Sequence, residues 1–252
     1  MRRFSLSGEG SMSEKKSNGV LETVRTVIYA VLIAMLVRTF AYEPFNIPSK
    51  SMVPTLLVGD YLFVSKLSYG YSRYSLPFGL PLFDGRIFES QPERGDVAVF
   101  KLPTDNKTDY IKRVIGLPGD TVQVIDGILH INGEPVRRDR VQDYVDPDTN
   151  AVYLQYVETL PNGARHLIIE EGDDGPYDET PPYRVPEGHY FMMGDNRDNS
   201  ADSRANVGFV PSENLIGRAE VLFFSTDGGA RLWEFWKWPS AIRFSRILDQ
   251  VS

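Results

Sequence analysis

The chain has no cysteine and only three histidines among its 252 residues. The absence of cysteine excludes a disulfide framework, a thiolate metal site and a cysteine nucleophile. The three histidines (His130, His166 and His189) leave few candidates for a zinc site or a Ser/His/Asp triad. The motifs HExxH, GxSxG and CxxC and a phosphate-binding glycine loop are also absent. We therefore expect no metal and no cofactor.

Length and composition indicate one sizeable folded body with a smaller additional segment. The hydrophobic fraction of 42% and the aromatic fraction of 12% are typical of a chain that buries a core. The net charge is −7, but residues 1–41 carry six Lys/Arg against three Asp/Glu, which leaves −10 for residues 42–252. An acidic body makes nucleic acid an unsuitable partner.

An apolar stretch near the amino terminus predicts a membrane-spanning helix. Its uncharged run, residues 26–37, would span only about 18 Å of a hydrocarbon core of about 30 Å. The wider stretch 20–41 spans about 33 Å, and its charges lie near the ends, where long side chains reach the headgroups. We predict a polar, basic head over residues 1–18, an anchor over 19–41 and a catalytic body over 42–252.

Three interpretations of the apolar stretch are open: a retained signal anchor, a cleaved signal peptide, and an amphipathic or core helix of a soluble protein. Cleavage needs small residues at −3 and −1, and Thr39-Phe40-Ala41 is a poor site, which favours the anchor. A basic head stays in the cytoplasm, so the body then faces outward. We thus predict a single-pass protein of the cytoplasmic (inner) membrane, in contact with lipid, with its catalytic domain on the periplasmic, outer side.

Beyond residue 42 the pattern is typical of strands. Apolar runs cover residues 96–100 and 110–115, and the strand-like runs 121–125 and 128–131 follow. Asp126-Gly127 and Asn132-Gly133 are pairs of the type I′ hairpin class. We predict a mainly β body made of antiparallel sheets.

Two segments of the body have an unusual composition. Residues 139–187 hold 12 Asp/Glu against three Arg and predict an acidic, loop-rich segment. Within it, residues 146–150 begin like a calcium loop but lack its glycine and its bidentate glutamate, which predicts a solvated loop. Residues 231–252 place Trp beside Arg and Lys, a composition typical of a membrane-interface segment and equally of a final helix packed on the body.

The best candidate for a nucleophile lies in a serine-rich segment between two prolines, residues 48–55. Proline predicts a stiff, non-helical segment here. A serine hydroxyl needs a base, and without a suitable histidine that base is a lysine kept neutral by burial. Lys112 lies inside the apolar run 110–115, where desolvation would lower its pKa. Spacing alone, however, favours an ordinary lysine on the exposed face of a strand.

Four long segments change the balance between a catalytic Lys112 and an ordinary lysine on an exposed strand face. They read EPFNIPSKSMVPTL (43–56), RGDVAVF (94–100), DYIKRVIGLPGD (109–120) and MGDNRDNSADSR (193–204). In this order they resemble the bacterial type I signal peptidases, or leader peptidases, which are membrane-anchored serine proteases of the Ser/Lys class. The resemblance implies a β-sheet body of the signal-peptidase type behind one transmembrane helix. It also implies an endopeptidase that removes signal peptides from exported precursor proteins after an Ala-x-Ala-like site.

The resemblance implies roles for individual catalytic residues. Ser51 would be the nucleophile that forms an acyl-enzyme, and Lys112 its general base. The hydroxyl of Ser49 and the backbone N–H of Ser51 would form the oxyanion hole, where one donor is typically worth roughly 10²- to 10³-fold in rate. Ser200 would orient the lysine amine.

Further residues are implied to bind substrate or to support the site. Phe45, Ile47 and Ile111 would line shallow apolar pockets for the small residues at −1 and −3 of the precursor. Asp202 and Arg204 would form a structural salt bridge.

The sequence departs from the family at two places. Many relatives have Tyr-Trp-Gly after the last segment, whereas residues 205–208 read Ala-Asn-Val-Gly, which affects local packing only. Lys50 stands where a small residue is common. Because neighbours in an extended segment point to opposite faces, we expect Lys50 to be solvated and turned away from the Ser51 hydroxyl.

Two other functions are open. A self-cleaving repressor resembles this family in its dyad and core fold, but it carries a helix-turn-helix, whereas residues 1–41 offer an apolar helix and one basic patch. In a membrane-tethered β-scaffold without activity, Ser51 and Lys112 would be incidental. Cleavage in trans of a peptide that bears Ala-x-Ala separates the three.

Overall fold

A computed structural model describes residues 14–76, 79, 83–172, 174–227, 230 and 233–251, with the backbone alone for residues 14–18. Most of the predicted basic head, residues 1–13, lies outside this range, as does Arg231 of the C-terminal segment. The chain is 37% strand and 16% helix, and its sheets are antiparallel. The prediction of a mainly β body behind one N-terminal apolar helix is confirmed.

Helix α1 runs from Glu14 to Phe40 and begins five residues before the predicted anchor. Its portion Gly19–Phe40 is 22 residues long with a mean hydropathy of 2.0, and it is not covered by the rest of the protein. That length and composition suffice to cross a membrane. The helix ends just before the segment of Pro44, whose ring prevents a helix from continuing. The division into head, anchor and body stays a prediction.

The body is built from short strands, numbered here in chain order. Among the described residues they are β1 (Tyr42–Asn46), β2 (Asp60–Ser65), β3 (Tyr71–Ser72), β4 (Arg86–Ile87), β5 (Val97–Lys101), β6 (Asp109–Gly116), β7 (Thr121–Ile125), β8 (Ile128–Ile131), β9 (Glu134–Pro135), β10 (Arg137–Arg140), β11 (Tyr144–Val145), β12 (Val152–Thr159), β13 (Arg165–Glu170), β14 (Tyr183–Arg184), β15 (His189–Met193), β16 (Val210–Pro211) and β17 (Leu215–Ser225). A short helix, α2 (Trp238–Ala241), follows them.

The main sheet has the order β1-β2-β17-β5-β6-β15-β16. Strand β5 lies near its middle, between β17 and β6, and is buried on both faces, which explains its unbroken apolar run. Two smaller sheets contain β14-β7-β8-β9 and β10-β12-β11, with β13 added to β12, and β3 pairs with β4. The two predicted hairpin turns lie between β7, β8 and β9, and all four of their residues have positive φ, from 48° to 85°, as a type I′ turn requires.

The acidic segment predicted as loop-rich, residues 139–187, contains the paired strands β12 and β13. Strand β12 reads VYLQYVET, and its β-branched and aromatic residues favour a strand in spite of the acidic surroundings. The loops therefore lie between strands of an ordered sheet.

The C-terminal segment combines features of both predicted interpretations. Residues 233–251 pack along β17 through bridges at Gln250 and Ile242, and the Trp238 ring lies 5.0 Å from that of Phe224. Its helical parts among the described residues are short: the four-residue α2 and one 3-10 turn, Phe244–Arg246. Several large apolar side chains are nevertheless exposed: Trp233, Phe235, Trp236, Phe244 and Leu248. Whether these side chains contact lipid stays a prediction.

One apolar cluster determines where the candidate site forms. It packs Met52 and Leu56, which follow the predicted nucleophile, against residues of β2, β5 and β17. Both side chains are fully buried. Burying a side chain of this size contributes roughly 1.5–3 kcal/mol, so the segment after Ser51 is fixed to the main sheet.

Candidate active site

The serine-rich segment forms a series of turns rather than the extended conformation expected from its prolines. The backbone N–H of Val53 donates to Lys50 (3.1 Å), and that of Leu56 donates to Met52 (2.9 Å). The turns bring residues 49–51 beside strand β6, while Met52 and Leu56 are buried beneath them. Ser51 is thereby presented from a rigid element rather than from a free loop.

Ser51 and Lys112 are in direct contact. Lys112 Nζ lies 2.7 Å from Ser51 Oγ, although 61 residues separate the two in the chain. The amine also donates to the carbonyl oxygen of Ile111 (2.8 Å). Lys112 is 3% exposed and Ser51 9% exposed. A buried amine in contact with a serine hydroxyl has the geometry of a base and its nucleophile.

The surroundings of Lys112 favour its neutral form. Burial lowers its pKa to about 8 from the usual 10.5, and the negative charges of Asp202 and Asp195 oppose that shift only in part. A charged ammonium is costly in a medium of low dielectric constant, whereas a neutral amine is not. The amine is therefore available as a proton acceptor close to neutral pH.

Two hydrogen-bond donors lie next to the Ser51 hydroxyl. Ser49 Oγ is 3.3 Å from Ser51 Oγ. In the part of the chain that the structure describes, no group accepts a hydrogen bond from the backbone N–H of Ser51. An unused N–H and a nearby hydroxyl are suitable partners for a negatively charged oxygen.

The three residues predicted to line the substrate pockets share one apolar cluster. Ile47 is buried within it, and Phe45 and Ile111 pack against it while remaining partly accessible. Phe45 lies on β1 and Ile111 on β6, so the cluster connects the two strands beside Ser51. Apolar walls at this position suit small apolar side chains.

The last of the four sequence segments folds behind the dyad. Arg204 donates from Nε (3.1 Å) and Nη2 (2.8 Å) to the carboxylate of Asp202, and both side chains are buried. Burial acts to raise the pKa of Asp202, but the charge of Arg204 and hydrogen bonds hold it below its usual value. Asp202 also accepts the backbone N–H of Gly194 (3.0 Å) and so positions the loop that faces Ser51.

Ser200 is close to the dyad but is not hydrogen-bonded to Lys112. Its Oγ is buried and has no hydrogen-bond partner among the described residues. The side chain lies against Gly194, where a Cβ atom would come within 2.2 Å of Ser200 Oγ and 2.5 Å of the Ser51 carbonyl oxygen. The lysine-orienting role of Ser200 stays a prediction.

Sequence reasoning assigned no role to a second buried ion pair, Arg113 with Asp195. Arg113 donates from Nε (2.8 Å) and Nη2 (2.7 Å) to Asp195, which also accepts from Thr55 Oγ1. Burial acts to raise the pKa of Asp195, but Arg113 holds it below its usual value. Because Thr55 follows the nucleophile turn, this pair fixes that turn to β6. The sequence did contain a signal for this contact, because Arg113, Asp195 and Thr55 all lie in the four segments that resemble the family.

Lys50 is not free in solvent, contrary to expectation. Its Nζ lies 2.7 Å from Asp146 and 3.0 Å from Asp148 in the predicted solvated loop, and Asp146 is 4% exposed. The hydrogen bond to Asp146 is the main cause of a raised pKa for Lys50, so this amine stays charged. The part of the expectation that left the amine solvated was wrong, because it assumed an extended segment and an acidic loop without contacts. Asp146 and Asp148 were missed because their partner is remote in sequence.

Within the described part of the chain, no three His, Asp or Glu side chains are grouped closely enough to hold a metal ion.

Comparisons with known proteins show which family the chain is similar to. The family model described as "Signal peptidase, peptidase S26" matches residues 20–224. A signal peptidase I of Rickettsia typhi is 42% identical over 94% of this chain and 96% of its own length. One from Rickettsia canadensis is 48% identical over 80% of this chain and 79% of its own length. A crystal structure of a signal peptidase I from Enterococcus faecalis is 30% identical and covers 51% of this chain and 97% of its own, with a TM-score of 0.32.

The family predicted from the four segments is thus confirmed, and so is the prediction that the chain is an enzyme. The alternatives of a repressor and of an inactive scaffold lose their support, because the matches extend over most of the chain. The chain belongs to the signal peptidase I family, peptidase S26, and is a serine endopeptidase of signal-peptide processing.

Proposed function

We propose that this endopeptidase cleaves its precursors through a Ser/Lys dyad of Ser51 and Lys112. The observation that carries the proposal is the 2.7 Å distance between Ser51 Oγ and Lys112 Nζ, in a lysine that is 3% exposed. A pKa lowered to about 8 supports it, because the base has to be neutral to accept a proton.

In the acylation step, Lys112 accepts the proton of Ser51 while Ser51 Oγ attacks the scissile carbonyl carbon. The carbonyl oxygen becomes negatively charged and is stabilised by the Ser51 N–H and the Ser49 hydroxyl. The tetrahedral intermediate then collapses: the C–N bond breaks, and Lys112 returns the proton to the leaving amine. The signal peptide remains as an ester of Ser51.

In the deacylation step, water attacks this ester and gives its proton to Lys112. The ester C–O bond breaks as Lys112 returns this proton to Ser51 Oγ, and the signal peptide leaves as a carboxylic acid that loses its proton to solvent. The base thus ends the cycle as it began, neutral. The acidic partners of the neighbouring ion pairs, Asp202 and Asp195, support the site without exchanging protons in these steps.

We propose further that cleavage follows an Ala-x-Ala-like site. The partly accessible walls formed by Phe45 and Ile111 beside buried Ile47 favour small apolar side chains at −1 and −3, since larger ones would displace packed atoms. Substrates are then exported precursors that carry signal peptides.

The proposed location is the cytoplasmic membrane, with α1 as a retained single anchor and the body on the outer, periplasmic side. The apolar stretch Gly19–Phe40 and the excess of Lys/Arg before it support this orientation. A protein isolated from membranes with an amino terminus at Tyr42 would contradict the retained anchor. So would labelling of the amino terminus from outside intact cells.

One experiment tests the mechanism. Detergent-solubilised full-length protein and its Ser51→Ala variant are incubated with a peptide that carries Ala-x-Ala. Because the substitution removes only one oxygen atom, we expect it to abolish cleavage while circular dichroism and melting temperature stay unchanged. Turnover by Ser51→Ala within about tenfold of the wild type would refute the dyad. If the wild type did not cleave the peptide, the proposal that it cleaves after an Ala-x-Ala-like site would be refuted.

A further inference from the structure

A cavity that the proposed mechanism does not use shares Phe45 with the proposed −1 and −3 pockets. It has a volume of about 720 Å³ and opens between the start of β1, the start of β6 and the last turns of α1. Part of its wall is apolar and includes Phe45, Tyr74 and Ile216.

This cavity adjoins the residues proposed to form the −1 and −3 pockets, because Phe45 belongs to both. Ile216 belongs to the apolar cluster that contains Ile47, and Phe45 and Tyr74 pack against that cluster, as Ile111 does. On β6 the cavity begins at Asp109, three residues before Lys112, which corresponds to about 10 Å along a strand. An extended substrate that places its −1 residue at Ser51 and its −3 residue at Phe45 would continue into this space.

The far side of the cavity faces the membrane anchor. Met35 and Arg38, in the last turns of α1, contribute to its wall. The part of a precursor upstream of −3 comes from the apolar, membrane-embedded region of its signal peptide. The cavity therefore lies on the path that this part of the precursor has to follow to reach Ser51.

The lining of the cavity has more positive than negative charge. Its charged residues are Arg38, Lys66, Lys101 and Lys107 against Glu43 and Asp109. Both carboxylates are already paired: Glu43 with Lys66 (2.9 Å) and with Arg38 (3.5 Å), and Asp109 with Lys101 (2.6 Å). A bound residue would therefore meet a surplus of positive charge, to which Lys107 contributes.

We propose that this cavity binds residues −4 to −6 of the precursor and selects against lysine and arginine there. The inference rests on the proposed function, because it takes the position of −1 and −3 from it. Neutral and acidic side chains fit an apolar wall with surplus positive charge, whereas a basic side chain meets like charges in a partly enclosed space. The cavity thereby adds a charge criterion to the size criterion of the −1 and −3 pockets.

The test uses full-length protein in detergent and peptides that share Ala at −3 and −1 but carry Ala, Glu or Lys at −5. A fourth peptide carries Lys at +5, on the other side of the scissile bond. For the wild type we expect kcat/KM with Lys at −5 to be about fivefold or more below that with Ala, and Lys at +5 to have no such effect. Raising the salt concentration should reduce the difference.

Lys107→Glu is the informative variant, because Lys107 is exposed and its substitution reverses one charge of the lining. We expect it to raise kcat/KM for the −5 Lys peptide relative to the −5 Glu peptide at least fivefold. Lys237→Glu makes the same charge change outside the cavity and should leave that ratio unchanged. An unchanged ratio in Lys107→Glu, or an equal change in Lys237→Glu, would overturn the inference.

Binding separates this inference from the mechanism. The dissociation constants of the same peptides for Ser51→Ala should show the same order, with Lys at −5 weakest. Cleavage by Ser51→Ala would count against the dyad alone. Equal binding of the three −5 peptides, together with equal cleavage by the wild type, would count against the cavity alone.

Discussion

Lys50 Nζ lies 2.7 Å from Asp146 Oδ2, and this contact connects the residue between Ser49 and Ser51 to a turn 96 positions later in the chain. Asp146 is held in place by the backbone N–H groups of Asp148 (2.8 Å) and Thr149 (3.2 Å). The ion pair therefore fixes the nucleophile turn to the sheet formed by β10–β13.

We expect Lys50→Met and Asp146→Asn each to lower the free energy of unfolding by about 1–3 kcal/mol. This lies above the value for an exposed pair because Asp146 is buried: Lys50→Met leaves its carboxylate without a charged partner, and Asp146→Asn leaves the Lys50 amine with Asp148 alone. Lys50→Met should keep at least about a tenth of kcat, since its amine contacts neither reacting atom. Thermal unfolding followed by tryptophan fluorescence, together with peptide cleavage, measures both effects.

A matched control is Arg137→Met, which breaks the exposed pair with Asp139 (3.0 Å) and should cost less than about 1 kcal/mol. In a double-mutant cycle, Lys50→Met and Asp146→Asn should be non-additive, because each removes the same contact. Additive losses would show that the two residues act separately.

Gly194 is expected to tolerate no side chain. A Cβ atom there would lie 2.5 Å from the Ser51 carbonyl oxygen and would also overlap Ser200. We expect Gly194→Ala to displace the nucleophile turn and to reduce kcat at least about 10²-fold, because small displacements of reacting groups are costly. Gly172→Ala is the control, since a Cβ atom at Gly172 meets nothing within 4 Å, and it should remain active.

Ser200→Ala should separate activity from stability. The Ser200 hydroxyl is buried without a hydrogen-bond partner in the described structure, so its removal should leave the melting temperature unchanged or slightly higher. If the hydroxyl orients Lys112 once substrate is bound, kcat should fall about tenfold or more while KM changes little. An unchanged kcat would contradict the orienting role, and a lower melting temperature would show that the hydroxyl has a partner.

The sequence predicted the hairpin turns well because a turn depends on residues that are adjacent in the chain. The turns at Asp126-Gly127 and Asn132-Gly133 need only residues that accept positive φ, and both form. The contact between Ser51 and Lys112 depends on how a seven-stranded sheet brings β6 beside the nucleophile turn, and only the family resemblance indicated it.

The pairing of Lys50 with Asp146 could not be predicted in this way. The likeness of residues 146–150 to a calcium loop depends only on neighbours in sequence, whereas the partner of Asp146 lies on a remote turn. The strands of the acidic segment were missed for a different reason: the net charge of residues 139–187 predicts loops, although β12 has the composition of a strand.

The last prediction concerns the protonation of Lys112. Its pKa is lowered to about 8, and only its neutral form accepts a proton. We expect kcat/KM to rise about tenfold per pH unit below that value and to level off above it. Lys112→Met should be as inactive as Ser51→Ala, because nucleophile and base act as one unit.

The lowered pKa of Lys112 also has a consequence for stability. Here Lys112→Met is expected to stabilise the protein, although it abolishes activity. Below pH 8 the folded protein has to bury a charged amine, whereas between about 8 and 10.5 the unfolded chain binds more protons than the folded one. Lys112→Met should therefore raise the free energy of unfolding by roughly 1–3 kcal/mol at pH 7, after the loss of its hydrogen bonds is included. That advantage should decrease as the pH rises from 8 to 10.5. The control is Lys237→Met, at an exposed lysine, which should alter neither activity nor this pH dependence. If wild type and Lys112→Met were equally stable from pH 7 to 10.5, the Lys112 amine would not be buried in a charged form.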